Sequence, residues 1–170
     1  MTQLSNIAGA SRRAFQEVPL QIGFRIALGV AGLAVAATLG AQQVKPDRAI
    51  KYRQGVMQAQ GWHMGRMNAM LKGDIPYNKD EFLMRATYVD QLARMPWEGF
   101  TPGSEQGAPT KAKPDIWKDS ASFKQHQDKL VAETPKLVAA ARTGDASQLK
   151  GPFGDVVKAC DGCHDDFRSK

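Results

Sequence analysis

Residues 160–170 read CDGCHDDFRSK, and this segment holds both cysteines of the chain and one of its three histidines. On a helix, Cys160, Cys163 and His164 would leave the same face, because side chains three and four positions apart are neighbours there. Three kinds of site contain two cysteines at this spacing: a thiol redox pair, half of a zinc site, and a covalent haem attachment of the C-x-x-C-H type. The remaining residues discriminate between these three.

The rest of the chain disfavours zinc and thiol redox chemistry. A zinc site needs a second pair of ligands, and the chain offers only His63 and His126, which are isolated. A redox pair sits at the start of a helix that follows a strand, whereas no segment here alternates as a strand does. Covalent haem c is therefore favoured, with thioether bonds from Cys160 and Cys163 and with His164 as the iron ligand. We expect both isolated histidines at the surface or at a subunit interface.

Residues 1–41 have the layout of a secretory signal peptide. Three arginines precede an uncharged apolar run at 26–41, and the polar segment QQVKPDR follows it. We expect cleavage after Ala41 and export to the periplasm; the alternative is an uncleaved N-terminal anchor, which would hold the protein at the membrane. Residues 42–170 then form one domain. The net charge of +6 and the lack of a basic cluster with interleaved aromatic residues exclude a nucleic-acid surface.

The first two predicted helices lie between Pro46 and Pro96. The first occupies 46–71 and ends at Gly73, since proline suits a first helical turn and glycine suits the residue after the last. Its apolar residues recur every seven positions and form the predicted inner stripe. These residues are Ile50, Met57, Met64 and Leu71. The second helix begins with a capping box in which Asn78 pairs with Glu81, and it ends before Pro96.

Two more helices are predicted after a long connection at 96–114, which is rich in proline and glycine. Ser120 is expected to cap the third helix, and Pro135 to kink it. A Gly-Pro pair is expected to interrupt the fourth, whose main segment then runs from Pro152 to the C-terminus. The prediction is an all-α, antiparallel four-helix bundle with covalent haem c on the C-terminal helix.

Three further stretches resemble the cytochrome c′ family, the class II c-type cytochromes. They are KPDRAIKYRQGVM at 45–57, PWEGFTPGSE at 96–105 and DIWKDSASFKQHQ at 115–127. The resemblance extends over 45–170 and implies a periplasmic haem protein, usually a homodimer, whose five-coordinate iron binds NO or CO. It implies a binding or carrier protein rather than an enzyme, so no catalytic residue is assigned.

The resemblance also implies roles for residues outside the haem-attachment motif. Arg53 and Gln54 are placed near a haem propionate, and Arg168 beside the face of the haem that His164 ligates. Phe167 shares the helix face of that histidine. The alternatives are that Arg53 is a solvated helix charge and that Arg168 only offsets the helix dipole.

Position 57 is the one that the resemblance places over the open side of the iron, and Met57 occupies it. An apolar plug at this position would exclude water and favour NO and CO, which need no hydrogen bond from the protein. A thioether can also ligate haem iron, and a His/Met pair gives a low-spin centre suited to electron transfer with a redox partner not identified by the sequence. The second function is therefore a low-spin cytochrome that uses Met57 as sixth ligand.

Three large residues of the first helix, Trp62, Met67 and Met70, fall outside the predicted inner stripe. Clustered apolar groups on an outer face indicate burial against a partner. We therefore predict a symmetric homodimer through this face. The alternative is that the second helix of the same chain covers these residues.

Overall fold

A computed structural model describes residues 44–170 of the chain, so the predicted leader at 1–41 lies outside the described residues. The described part contains five α-helices and two single-turn 3-10 helices. The α-helices are α1 (Pro46–Lys72), α2 (Lys79–Leu92), α3 (Asp115–Lys118), α4 (Ser120–Thr143) and α5 (Lys150–Phe167), and the 3-10 helices are Pro96–Gly99 and Ala146–Gln148. Within 44–170, no helix is both long enough and apolar enough to cross a membrane.

The four long helices, α1, α2, α4 and α5, form a four-helix bundle. Helix α2 packs between α1 and α4, and α4 packs in turn on α5. In the described residues there is no strand, only an isolated antiparallel bridge between Ala112 and Arg168. The predicted all-α bundle is confirmed.

The predicted ends of α1 and α2 agree with the structure. Gly73 follows α1 in the left-handed conformation, with φ of 82°, which a glycine adopts without strain. The side chain of Asn78 accepts the backbone N–H of Glu81 at 3.0 Å and so caps α2. The reciprocal half of the capping box is not formed, because the Glu81 carboxylate binds Arg66 and Arg85 instead.

The starts of α4 and α5 differ from the prediction. The cap of α4 is Asp119, whose side chain accepts the N–H of Ser122 at 3.1 Å, and not Ser120. Helix α4 then runs through Pro135 as one helix. Helix α5 already begins at Lys150, so the Gly-Pro pair does not interrupt it. Pro152 lies in the first turn, where a backbone N–H would have no acceptor within the helix.

The main core corrects the prediction for two methionines of α1. Met67 is fully buried and Met70 is 4% exposed, so neither belongs to an outer surface. Trp62 alone of the three is exposed, at 70%. Counted at about 100° per residue from Ile50, Met67 and Met70 lie about 100° and 160° around the helix. Buried Ala49, Arg53 and Val56 lie on the same side, so the buried face of α1 is offset from the predicted stripe along its whole length. Ile50 is buried at the start, whereas the later members of the stripe are only half-buried.

A second, smaller core lies between the end of α5 and the long connection. Its buried members are Ile116, Phe123 and Phe167. Phe123 meets Phe100 and Phe167 edge to face, with ring centroids 4.9 and 5.3 Å apart. This cluster fixes the last turns of α5 against α4 and the connection, and therefore fixes the helix that carries the C-x-x-C-H motif.

Candidate haem site

Two adjoining pockets lie along the C-x-x-C-H motif. The Arg53 pocket has a volume of about 310 Å³ and the Cys160 pocket one of about 260 Å³. Met57, Cys163 and His164 line both, so these three residues stand where the pockets meet. Cavities of this size are typical of small-molecule and cofactor sites.

The two cysteines are free thiols, and both are half-buried. Burial raises the pKa of Cys160 to about 11, with a smaller contribution from the charge of Asp161. Burial likewise raises the pKa of Cys163 to about 11, helped by Cys160 and Asp166. Both thiols therefore stay protonated at neutral pH, in contrast to the low-pKa thiolate that a disulfide oxidoreductase needs.

The imidazole of His164 opens onto both pockets. Burial lowers its pKa and the charge of Arg168 lowers it further, whereas Asp161 and Asp165 act in the opposite direction. A lowered pKa favours the neutral imidazole, which is the form that ligates a metal. In residues 44–170 no three His, Cys, Asp or Glu side chains cluster as ligands of a metal ion.

The two pockets differ in polarity in the way that a haem requires. The Cys160 pocket has mainly apolar walls, which include Met64, Trp97, Leu130 and Val157. The Arg53 pocket instead carries polar and cationic side chains, which are Arg53, Gln54, Thr110, Lys111 and Arg168. A haem has vinyl groups at one edge and two carboxylates at the other. The thiols lie at the apolar side and the cations at the polar side, so the residues present fit covalent haem c in one orientation.

Arg53 lies deep in the protein, at 2% exposure, so the alternative of a solvated helix charge is wrong. Its two terminal nitrogens donate to the last residue of the Pro96–Gly99 helix and to residues that follow it. The acceptors are Gly99 O, Ser104 Oγ, Ser104 O and Thr110 Oγ1. Burial lowers its pKa while Glu105 raises it. Next to it, the Gln54 amide nitrogen donates to Pro109 O at 2.9 Å.

Two residues at the end of α5 complete the Arg53 pocket. Phe167 is buried at 6% exposure, and Arg168 is exposed. The N–H of Arg168 donates to His164 O at 3.1 Å, and its bridge with Ala112 joins the end of α5 to the connection. Arg168 therefore extends into a strap, the pairing of 111–113 with 167–169, rather than continuing the helix.

The two isolated histidines have different surroundings. His63 lies outside both pockets and faces Tyr88, with ring centroids 5.1 Å apart. His126 lines the Cys160 pocket, and its Nε2 is 3.0 Å from Asp166 Oδ2. His126 is thus only partly exposed, at 20%, because α4 packs on the turn of α5 that carries the motif.

Three aromatic residues in the connection and in α3 border the site, although the sequence pattern indicated no role for them. Trp97 lines the Cys160 pocket, and Phe100 lines the Arg53 pocket. Trp117 stacks beside the Arg53 guanidinium, 5.6 Å from ring centroid to Cζ. Two of these residues lie in the stretch PWEGF. Large aromatic side chains in a segment rich in proline and glycine indicate that the segment packs on the domain, although they form no periodic pattern.

Comparison with known proteins gives consistent matches over most of the chain. Residues 48–168 match the family described as cytochrome C′. The cytochrome c′ of Alcaligenes xylosoxydans xylosoxydans is 41% identical over 129 residues, which are 76% of this chain and 99% of that protein.

Solved structures match over the same region. The crystal structure of cytochrome c′ from Rubrivivax gelatinosus aligns with a TM-score of 0.71 and 40% identity, over 74% of this chain and 98% of that one. A nitric oxide complex and a carbon monoxide-bound form, both of variants of the Alcaligenes xylosoxidans protein, each align at a TM-score of 0.69 and 41% identity, over 75% of this chain and 98% of theirs.

Proposed function

Because this chain belongs to the cytochrome c′ family, as its sequence resemblance predicted, we propose that it binds haem c covalently and takes up NO or CO at the iron. That the protein is a c-type haem protein of the cytochrome c′ type follows from the family. The gas ligands are those that the solved structures of its relatives contain. The observation that carries the proposal is the junction of two pockets at Met57, Cys163 and His164.

The residues that would hold the haem are drawn from three parts of the chain. Cys160 and Cys163 would form the thioether bonds, and His164 would ligate the iron. Arg53, Gln54 and Arg168 would face the carboxylate edge, and Phe167 would pack on the ring. When bound, the haem supplies an iron that takes up small gases and changes oxidation state.

Met57 supports gas binding rather than a second permanent ligand. It is half-buried where the two pockets meet, and its neighbours in the Cys160 pocket are largely apolar. An apolar side chain there excludes water and offers no hydrogen bond to oxygen, whereas NO and CO need none. A visible spectrum of the reduced protein tests the proposal: a broad high-spin Soret band that sharpens with NO or CO is expected, and indifference to both gases contradicts it.

The second candidate is a low-spin electron carrier with His164 and Met57 as axial ligands. It rests on the presence of the Met57 thioether beside the same two pockets as His164. Its redox partner is not identified by any feature of the chain. A methionine-ligated ferric haem has a distinct near-infrared band, so the oxidised spectrum separates the two candidates.

The proposal includes export to the periplasm, a homodimer, and a role in binding or electron transfer rather than in enzymatic catalysis. Export rests on the signal-peptide layout of 1–41, with retention as an anchor the alternative. The dimer rests on the exposed hydrophobic residues of α1 and α2. Trp62 is 70% exposed, Met84 41% and Tyr88 42%, and the ring of His63 beside Trp62 lies tilted against that of Tyr88. Covering such residues with a second copy would remove them from water.

A further inference from the structure

The long connection between α2 and α3 builds one wall of the Arg53 pocket. Phe100, Thr110, Lys111 and Ala112 of this connection line the pocket, together with Ile116 of α3. The connection contains only the single helical turn Pro96–Gly99, and long segments with so little secondary structure are uncommon in compact domains. Side chains from elsewhere must therefore fix the wall.

Arg53 supplies most of that fixation from α1. Its Nη1 donates to Gly99 O and to Ser104 Oγ, both at 2.8 Å. Its Nη2 donates to Ser104 O at 2.8 Å and to Thr110 Oγ1 at 3.3 Å. The four N–H groups of the two terminal nitrogens are thus committed to the connection. Hydrogen bonds from a charged guanidinium are about twice as strong as neutral ones.

Aromatic rings enclose the same guanidinium. The Cζ of Arg53 lies 4.5 Å from the Phe100 ring centroid and 5.6 Å from that of Trp117. Trp117 is itself tied to the connection, because its indole N–H donates to Thr101 O at 3.1 Å. The guanidinium therefore contacts both the backbone of the wall and the Phe100 ring that lines the pocket. Only the Nε–H has no acceptor among residues 44–170.

Two glycines let the connection approach α1 closely enough for this pairing. A Cβ at Gly99 would lie 2.9 Å from Arg53 Cβ and 3.0 Å from Ala49 O, closer than packed atoms allow. A Cβ at Gly107, where φ is +109°, would lie 3.0 Å from Pro46 Cβ. The connection is thus laid directly on the first turns of α1, with Arg53 between them.

We propose that Arg53 is a positioning residue that holds the 99–110 wall of the pocket through its two terminal nitrogens, with Nε–H alone left for a haem carboxylate. This differs from a simple ion pair with the haem, in which the charge alone would matter. A lysine keeps the charge but cannot form the fork. Arg53→Lys should therefore remove the hydrogen bonds that hold the wall while it preserves the charge.

Hydrogen exchange of the haem-loaded protein tests the proposal at two backbone amides of the wall. The N–H of Phe100 donates to Trp97 O, and the N–H of Ser104 donates to Thr101 O. We expect Arg53→Lys to speed exchange at both amides tenfold or more, because each depends on the fork. Thr110→Val removes one acceptor of Arg53 without touching any charge or the hydroxyl of Ser104, and should speed exchange at the same amides to a smaller extent.

Arg48→Lys is the matched control, since Arg48 is an exposed arginine on the same helix. Exchange that stays within threefold of wild type in both Arg53→Lys and Thr110→Val would overturn the proposal; if Arg53→Lys fails to load haem, Thr110→Val decides alone. The reduction potential separates the two roles, because an ion-pair role predicts a shift in Arg53→Gln with unchanged exchange. The exchange result does not depend on gas binding, so it tests this proposal separately from the proposed function.

Discussion

Met57 of α1 and His164 of α5 line the same two pockets, although 107 positions separate them in the chain. The bundle therefore brings a thioether and an imidazole to one cavity without any local sequence motif that joins them. Whether Met57 binds the iron or only fills space is the property that divides the two candidate functions. It can be decided on the purified protein.

The substitution Met57→Leu distinguishes a plug from a ligand. Leucine keeps the apolar volume but has no sulfur, so we expect the spectra of both oxidation states to stay high-spin and unchanged. The measurement is visible and near-infrared absorption of the ferric and ferrous forms. A methionine-ligation band in the wild type that disappears in the variant would favour the electron carrier instead.

Removing one thiol should leave the haem attached. In Cys160→Ser the thiol of Cys163 remains, so one thioether bond can still form, and the same holds for the reciprocal variant. We expect both single variants to retain haem on a denaturing gel stained for peroxidase activity, and the double variant to lose it. Intact mass gives the control, because each single variant should carry one haem. Loss of haem from the double variant alone is the diagnostic result.

Substitution of the most exposed aromatic residue tests the homodimer. Trp62→Glu places a charge where a partner would bury an indole, and we expect the dimer dissociation constant to rise about 100-fold. Light scattering with size-exclusion chromatography measures it, with haem absorbance as a check that the pocket is intact. A wild-type protein that is monomeric at micromolar concentration would contradict the dimer outright. Met67 and Met70 are unsuitable for this test, because changing them would disrupt the core.

Thr134 gives a test of stability away from the haem. Its hydroxyl is fully buried in α4 and donates to Asp90 Oδ1 of α2 at 2.8 Å. Thr134→Val keeps the shape and removes this donor, so that Asp90 Oδ1 retains only its bond from Arg94, and we expect a loss of about 1–2 kcal/mol. Thr134→Ser retains the hydroxyl and should lose less. Urea unfolding of the three proteins measures the difference, and equal losses would exclude the hydrogen bond as the cause.

The acid side of the stability profile should depend on Glu81. Its hydrogen bond to Arg85 lowers its pKa, with Arg66 contributing and burial opposing. A carboxyl group with a lowered folded pKa stabilises the protein above its unfolded pKa, and this stabilisation is lost as the pH falls through the folded value. Glu81→Gln should therefore flatten the decline in unfolding free energy below about pH 5. Asp80→Asn is the control, since Asp80 is an exposed neighbour outside the ion pairs of residues 44–170.

Features that depend on local chemistry could be predicted from the sequence. Gly73 ends α1 at positive φ, and Asn78 caps α2, both as expected. The cap of α4 was missed by one residue, because Asp119 and Ser120 are both good caps and only the backbone selects between them.

Features that depend on distant contacts could not be predicted. The acceptors of Arg53 lie 46 to 57 positions further along the chain, in a segment without periodicity. Met67 and Met70 are buried because the main core, which includes Phe82, Ala86 and Val89 of α2, covers their side of α1. His126 reaches the motif only because α4 packs on α5. Spacing within one helix contains no information about which neighbour covers it.

The strap that joins 111–113 to 167–169 affects the order in which parts of the protein can fold. Lys113 N–H donates to Phe167 O, Ser169 N–H donates to Lys111 O, and the Lys113 amine reaches the carbonyls of Asp165 and Asp166. These partners lie 52 to 58 positions further along the chain, so a ribosome adds them well after the connection. The bundle can begin to collapse during synthesis, but its pocket can be fastened only after the end of α5 and the residues next to it have been made. A protein truncated after Phe167 would keep the haem-attachment motif and the contacts of Lys113, but would lose both hydrogen bonds from Ser169 to Lys111 O.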